Sequence, residues 1–169
     1  VHGRDNDIGL LAAADDDGDL AGHHRVGGTA DAVFMLDRAV DWTSFREAAR
    51  AFEVPSQNLI YADVEGNIGY QSPGRIPIRS GYDGRWPVPG WDSTYKWIGY
   101  IPFDALPSVL NPREGFIVTA NNAVIHDNTY PYFLPSHSSY RARSQRIRHV
   151  INRWIHHGRK VSIADMQKL

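Results

Sequence analysis

The chain has 169 residues, 42% of them hydrophobic, with 18 Lys and Arg against 19 Asp and Glu and a formal charge of -1. That is enough chain and apolar surface for one globular domain, and the near balance of charge excludes the Lys/Arg excess on which dedicated nucleic-acid binders and polybasic membrane proteins rely. With no Cys there are neither disulfides nor thiolate metal ligands, and no apolar run reaches the roughly 20 residues of a membrane-spanning helix.

The opening stretch to about Gly28 is rich in Gly, Asp and Ala and reads as one strand, Ile8 to Ala14, between loops. Asp15, Asp17 and Asp19 alternate as in a calcium loop. Leu20 and Val26, however, stand where an EF-hand needs Gly and Glu, so a solvated acidic loop is expected. Ala32, Val33, Leu36 and Ala39 recur at helical spacing over Thr29 to Arg38. A second helix follows Asp41-Trp42-Thr43-Ser44, with Ser44 and Glu47 fitting a capping box, Phe45, Ala48, Ala49 and Phe52 as its inward stripe, and Pro55 as its stop.

Asn58 to Asp63 and Asn67 to Gln71 are strand-like runs joined by Val64-Glu65-Gly66, a hairpin whose tight turn Gly66 can make at positive φ. Seven of the ten prolines then fall between Ser72 and Pro112, together with Trp86, Trp91 and Trp97. This predicts a long, ordered, aromatic-pinned connection with only a short turn near Phe103 to Leu106. Gly115 to Ala120 reads as a buried strand that delivers Asn121 and Asn122 at its end, where an Asn-Asn pair is either turn-forming or aimed into a cleft.

Ile147, Val150, Ile151, Trp154 and Ile155 give the stripe of a helix from about Tyr140 to His157, with Gly158 as its C′ residue. Arg148 and Arg153 fall on its outer face, whereas Arg143 projects from the apolar stripe, where a cation is either paired or serves a site. The His23-His24 and His156-His157 pairs supply no three convergent metal ligands. Ser162 and Asp165 open a further helix close to Leu169, and a helix of about one turn has no stripe to bury, so a chain cut short at this end is expected.

The common signatures of elbow hydrolases, nucleotide-binding loops and zinc peptidases are absent. Instead, the string Gln57-Asn58-Leu59-Ile60-Tyr61-Ala62-Asp63-Val64-Glu65-Gly66-Asn67-Ile68-Gly69-Tyr70 resembles the penicillin amidase family, which includes cephalosporin and acyl-homoserine-lactone acylases. The resemblance continues through Pro87-Val88-Pro89-Gly90-Trp91-Asp92, Trp97 to Phe103 and Asn111 to Asn122, and covers roughly Asp37 to the C-terminus.

The resemblance implies an α+β piece, 1–169, a single partial domain truncated at both ends, from the β-chain of an αββα N-terminal nucleophile hydrolase, with hairpin strands, the Pro/Trp-rich connection and two to three helices. In such enzymes autocatalytic cleavage frees a serine whose own α-amine acts as base in attacking a linear N-acyl amide. Asn121 falls at the family's oxyanion-hole asparagine, and the arginine that orients it falls at Arg143, with Arg146 as the alternate. No Gly-Ser junction occurs in the first thirty residues, so the nucleophile is expected outside this chain and the chain alone is expected to be inactive.

The expected partners are the rest of the parent α- and β-chains and an acyl-amide substrate, with neither nucleic acid nor a membrane span. No cofactor is expected in this chain, a structural calcium of the parent being held largely by other segments, and the family implies a periplasmic or secreted location. A rival reading makes the Trp/Pro-rich segment a non-catalytic module for glycans or peptides. A third, nucleic-acid binding by the arginine helix, is the weakest given the overall neutrality.

Overall fold

The computed structural model describes residues 27–125, 129–134 and 141–169, so the strand expected at Ile8 to Ala14, the acidic loop and the His23-His24 pair lie outside the described residues. Helix α1, Gly27–Asp37, packs on α2, Trp42–Arg50. The Thr29 hydroxyl fastens the start of α1 to the segment that follows α2, donating to Val54 O (2.9 Å) and accepting from the backbone N–H groups of Glu53 and Val54. Of the expected α1 stripe Ala32 is buried, while Val33 is exposed along with Phe34 and Met35.

The α2 capping box differs from the expected one. Asp41, not Ser44, is the N-cap: its carboxylate accepts from Ser44 N at 2.7 Å, and Ser44 Oγ accepts from Asp41 N at 3.1 Å. A carboxylate at the N-cap both satisfies a free N–H and faces the positive end of the helix dipole, so the helix starts early enough to put Ser44 at its third position. Glu47 is left to pair with Arg50. Phe45, Ala48, Ala49 and Phe52 are buried as the stripe predicts.

The hairpin forms where expected. Strands β1, Leu59–Ala62, and β2, Ile68–Gln71, pair antiparallel with Tyr61 opposite Gly69, and Gly66 turns at φ +91°. Asp63 closes the turn by accepting from Glu65 N, Asn67 N and Asn67 Nδ2, and also from the Tyr61 hydroxyl. Trp42, Phe45 and Tyr61 pack at ring separations of 5.2–5.5 Å between α2 and this hairpin, Trp42 stacked on Phe45 and edge-on to Tyr61, an arrangement that adds to simple apolar burial.

The Pro/Trp-rich stretch carries more regular structure than its composition predicts. Strands β3, Pro77–Ser80, and β4, Lys96–Tyr100, form their own antiparallel ribbon with an irregular register at Ile78/Arg79. Strand β5, Ser108–Leu110, joins β2 to complete the three-stranded order β1-β2-β5. Prolines stand at the start of β3 and just before β5, where a missing N–H costs no ladder bond, so the prolines punctuate strands instead of excluding them. Trp97 is half-buried, but Trp86 and Trp91 are 78% and 90% exposed and cover no core among the described residues.

The expected turn is a single 3-10 turn, Phe103–Ala105. Asp104 there accepts from Arg46 and Arg50 of α2 while both guanidinium groups lie over the Phe103 ring, and Arg46 Nε also donates to the fully buried Gln71. The C-terminal helices match their expected positions. Helix α3, Arg141–His156, ends at Gly158 (φ +63°), whose N–H donates to Ile155 O while Arg159 N donates to Trp154 O, a Schellman closure. Helix α4, Ile163–Met166, starts at the Ser162/Asp165 capping box, and Arg159 pairs with Asp165. The whole is α+β, and no described helix is long and apolar enough to cross a membrane.

Candidate active site

The segment read as a buried strand, Gly115 to Ala120, is not one: only Val118 is buried, and no strand pairs with it among the described residues. A β-forming sequence becomes a strand only when a neighbour supplies the ladder, and none of the described strands does so. The segment is held instead at its two ends. At one end, Glu114 accepts from Arg148 Nη1 at 2.5 Å while the Arg148 guanidinium lies over Phe116. Arg148, expected on the solvated face of α3, is thus half-buried and serves as the tether.

At the other end the two asparagines divide the roles that the sequence leaves open. Asn122 makes the turn: its Oδ1 accepts from Ala120 N at 3.1 Å and its Nδ2 donates to Ala123 O at 3.0 Å. Asn121 stands in the left-handed region at φ +58°, a conformation that Asn tolerates better than most residues. Arg143 Nη2 donates to Asn121 Oδ1 at 3.0 Å and to Ala120 O at 3.2 Å. An arginine can only donate, so this bond fixes which way the amide faces: Oδ1 toward Arg143 and Nδ2 away from it. Asn121 Nδ2 has no acceptor among the described residues.

Arg143 reaches this position from beside the apolar stripe of α3, not from within it. The buried residues of the helix are Ser144, Val150 and Ile151, and Arg143 is exposed on their flank. Arg146 is exposed and makes no hydrogen bond or ion pair among the described residues, so the structure brings Asn121 to Arg143 and not to Arg146.

Asn121 lines a cavity of about 680 Å³ bounded by residues 116–124, the start of α3, and Tyr70 and Val109 of the sheet. Tyr70 donates to Asn58 Oδ1 at 2.6 Å, and burial pushes its phenol up to about 12. The Glu114–Arg148 tether and the Tyr70–Val109 wall were not foreseen; a turn signal in Asn111-Pro112-Arg113-Glu114-Gly115 was the only hint of the former. Among the described residues no three His, Asp or Glu side chains converge on a metal-sized site.

The penicillin amidase family model matches residues 11–169. The penicillin acylase 2 proenzyme of Pseudomonas sp. (strain SE83) is 41% identical over 113 residues, 66% of this chain and 15% of that protein. The penicillin G acylase of Escherichia coli is 43% identical over 98 residues, 56% of this chain and 11% of that one. The acyl-homoserine lactone acylase QuiP of Pseudomonas aeruginosa is 35% identical over 119 residues, 70% of this chain and 14% of that one. Among solved structures, the thermostable penicillin G acylase from Alcaligenes faecalis superposes with a TM-score of 0.54 at 32% identity, over 72% of this chain and 23% of that chain. The matched stretch is therefore a small part of each relative, yet the family match runs through the hairpin, the Pro/Trp-rich stretch and the Asn121–Arg143 pair alike, and the chain belongs to the penicillin amidase family.

Proposed function

We propose that this chain supplies the oxyanion-stabilising wall of an acylase that hydrolyses a linear N-acyl amide through an N-terminal serine contributed by another part of the same protein. The observation that carries the reading is the Arg143–Asn121 bond, which pins the amide oxygen and leaves Nδ2 as an oriented donor with no acceptor among the described residues. An oriented donor stabilises charge that develops on a carbonyl oxygen without any reorganisation at the moment of attack. The serine hydroxyl adds to the amide carbonyl and its proton passes to the serine's own α-amine. Collapse expels the amine, which takes up that proton, and water then releases the acid from the acyl-enzyme.

Placing the nucleophile elsewhere is supported by the hydroxyl inventory. Ser44 and Ser162, the described serines bonded to carboxylates, are tied up in helix capping boxes, Ser44 as the third residue of α2 and Ser162 as the N-cap of α4, and Ser144, which lines the cavity, donates to the Arg141 carbonyl. No described serine has a base poised to activate it. Arg143 is assigned the supporting role over Arg146 because it alone of the two meets Asn121.

The test is Asn121→Ala in the full-length acylase that carries this segment, assayed on a chromogenic acyl-anilide. Turnover should fall roughly a hundred- to thousandfold, the usual consequence of deleting one oxyanion donor. If correctly processed variant enzyme keeps turnover within about threefold of the parent, the assignment fails.

A further inference from the structure

Asn121 ends a segment that helix α3 grips at both ends with two different arginines. Arg143 holds Asn121 Oδ1 and Ala120 O, while Arg148 donates to Glu114 Oε2 at 2.5 Å and lies over the Phe116 ring, 5.6 Å from its centre. The earlier arginine takes the later end, so residues 114–121 run back along the helix. Five helical residues rise only about 7.5 Å, whereas seven extended ones cover up to about 23 Å, so the two side chains reach apart to meet the ends. One grip alone would leave the segment free to turn about it; two fix its direction as well.

The turn that carries Glu114 is itself fastened to the sheet. Asn111 N donates to Ile68 O at 2.8 Å, Asn111 Oδ1 accepts from Ile68 N at 3.0 Å, and Asn111 Nδ2 donates to Asn67 Oδ1 at 2.8 Å. Gly115 N then closes the turn on Pro112 O at 2.8 Å. Gly115 leaves the turn at φ +74°, with no atom within 4 Å of the place where a Cβ would stand. A glycine at positive φ in open space is a pivot, because nothing of its own restrains the chain beyond it. Arg148 spans that pivot: its ion pair is with Glu114 on one side, and the ring beneath its guanidinium is Phe116 on the other. A continuous line of contacts therefore runs from β2 through Asn111, Glu114 and Arg148 into the 16-residue helix α3, and from α3 through Arg143 to Asn121.

We propose that Arg148, through its pair with Glu114, is a second positioning residue for the Asn121 amide, setting where the α3-held asparagine stands relative to the β1-β2-β5 sheet. The inference rests on reading Asn121 as the oxyanion donor. The pair is too open to matter much for folding, the side chains being 42% and 58% exposed, so its loss should appear in turnover and hardly in melting temperature. A displacement of about 1 Å can cost roughly a hundredfold in rate, and slack at one of two grips should cost a part of that.

The experiment is steady-state kinetics on the processed full-length acylase with a chromogenic acyl-anilide. Arg148→Met and Glu114→Gln should each lower kcat about three- to tenfold, with KM within about twofold and melting temperature nearly unchanged. The two changes together should lose no more than either alone, since both open the same link. In the Asn121→Ala background, Arg148→Met should alter turnover by less than about twofold. The proposal is overturned if both single variants keep kcat within about twofold of the parent, if their losses add, or if the Arg148→Met loss persists without Asn121. Should Arg148→Met fold poorly, Glu114→Gln carries the same comparison. If Asn121→Ala itself keeps full turnover, the oxyanion reading falls and this role with it. If Asn121→Ala is impaired but uncoupled from Arg148→Met, only the positioning role falls.

Discussion

Arg143→Ala tests whether the arginine acts through Asn121 or on its own account. The guanidinium makes one bond to Asn121 Oδ1 and one to Ala120 O, so its deletion frees the amide to rotate without removing it. If the productive orientation then falls to between a tenth and a hundredth of the population, turnover drops by the same factor, about 1.4–2.7 kcal/mol. That is less than the roughly 2.7–4 kcal/mol expected for losing the donor itself. In the Asn121→Ala background, where nothing is left to orient, Arg143→Ala should change turnover by less than about twofold. The double-mutant cycle should therefore return a coupling nearly equal to the whole single effect of Arg143→Ala. Steady-state kinetics on the four full-length proteins, with processing and melting temperature followed in parallel, measure it. Additive losses would refute the orienting role and make Arg143 either an independent contact to substrate or a structural residue. Arg146→Ala, at an exposed position without a described partner, should leave turnover within about twofold.

Two further outcomes follow from the fold that carries the site. A Cβ on Gly69 would press into the Trp42 ring, 2.9 Å from Cε3 and 3.0 Å from Cη2, so Gly69→Ala should destabilise the protein by about 1–3 kcal/mol in urea unfolding, and most of that loss should vanish in a Trp42→Leu background. The phenols of Tyr61 and Tyr70 are each pushed up to about 12, chiefly by burial, with the neighbouring Asp63 carboxylate adding to the effect at Tyr61. Because both are raised above the value of about 10 in an unfolded chain, their contribution to stability is complete below pH 10 and is lost as pH rises toward 12. Tyrosinate absorbance during an alkaline titration should show a late-ionising class, to which burial also shifts Tyr130, and Tyr61→Phe and Tyr70→Phe should each remove one tyrosine from it.

Features specified by neighbouring residues were legible in the sequence. The β1–β2 hairpin is set by Gly66 between two short apolar runs, and the buried face of α2 by the spacing of Phe45, Ala48, Ala49 and Phe52. The α2 cap was misplaced by three residues because Ser44 can play either part in a capping box, and only the competing carboxylate of Asp41 decides between them. Strands β3 to β5 escaped because runs of three to five residues carry too little alternation to stand out against prolines, and the prolines sit where they break no ladder. Helical spacing put Arg143 in the apolar stripe, whereas Ser144 occupies the buried position and Arg143 stands one step around the helix, where it can bend to the loop.

The contact that matters most joins residues 22 apart across a loop and a helix start, and no local period encodes such a pairing. The family motif points from Asn121 to Arg143, with helical spacing favouring Arg143 over Arg146, and the fold brings Arg143 but not Arg146 to Asn121. The reverse holds for residues 116–119, where local sequence gives the clearest statement of strand chemistry near the site and the described fold leaves it unsatisfied. Propensity reports what a segment can pair with, while the ladder requires a partner. A β-forming run therefore stays irregular where the described residues offer it no partner strand, and here that run leads directly to Asn121.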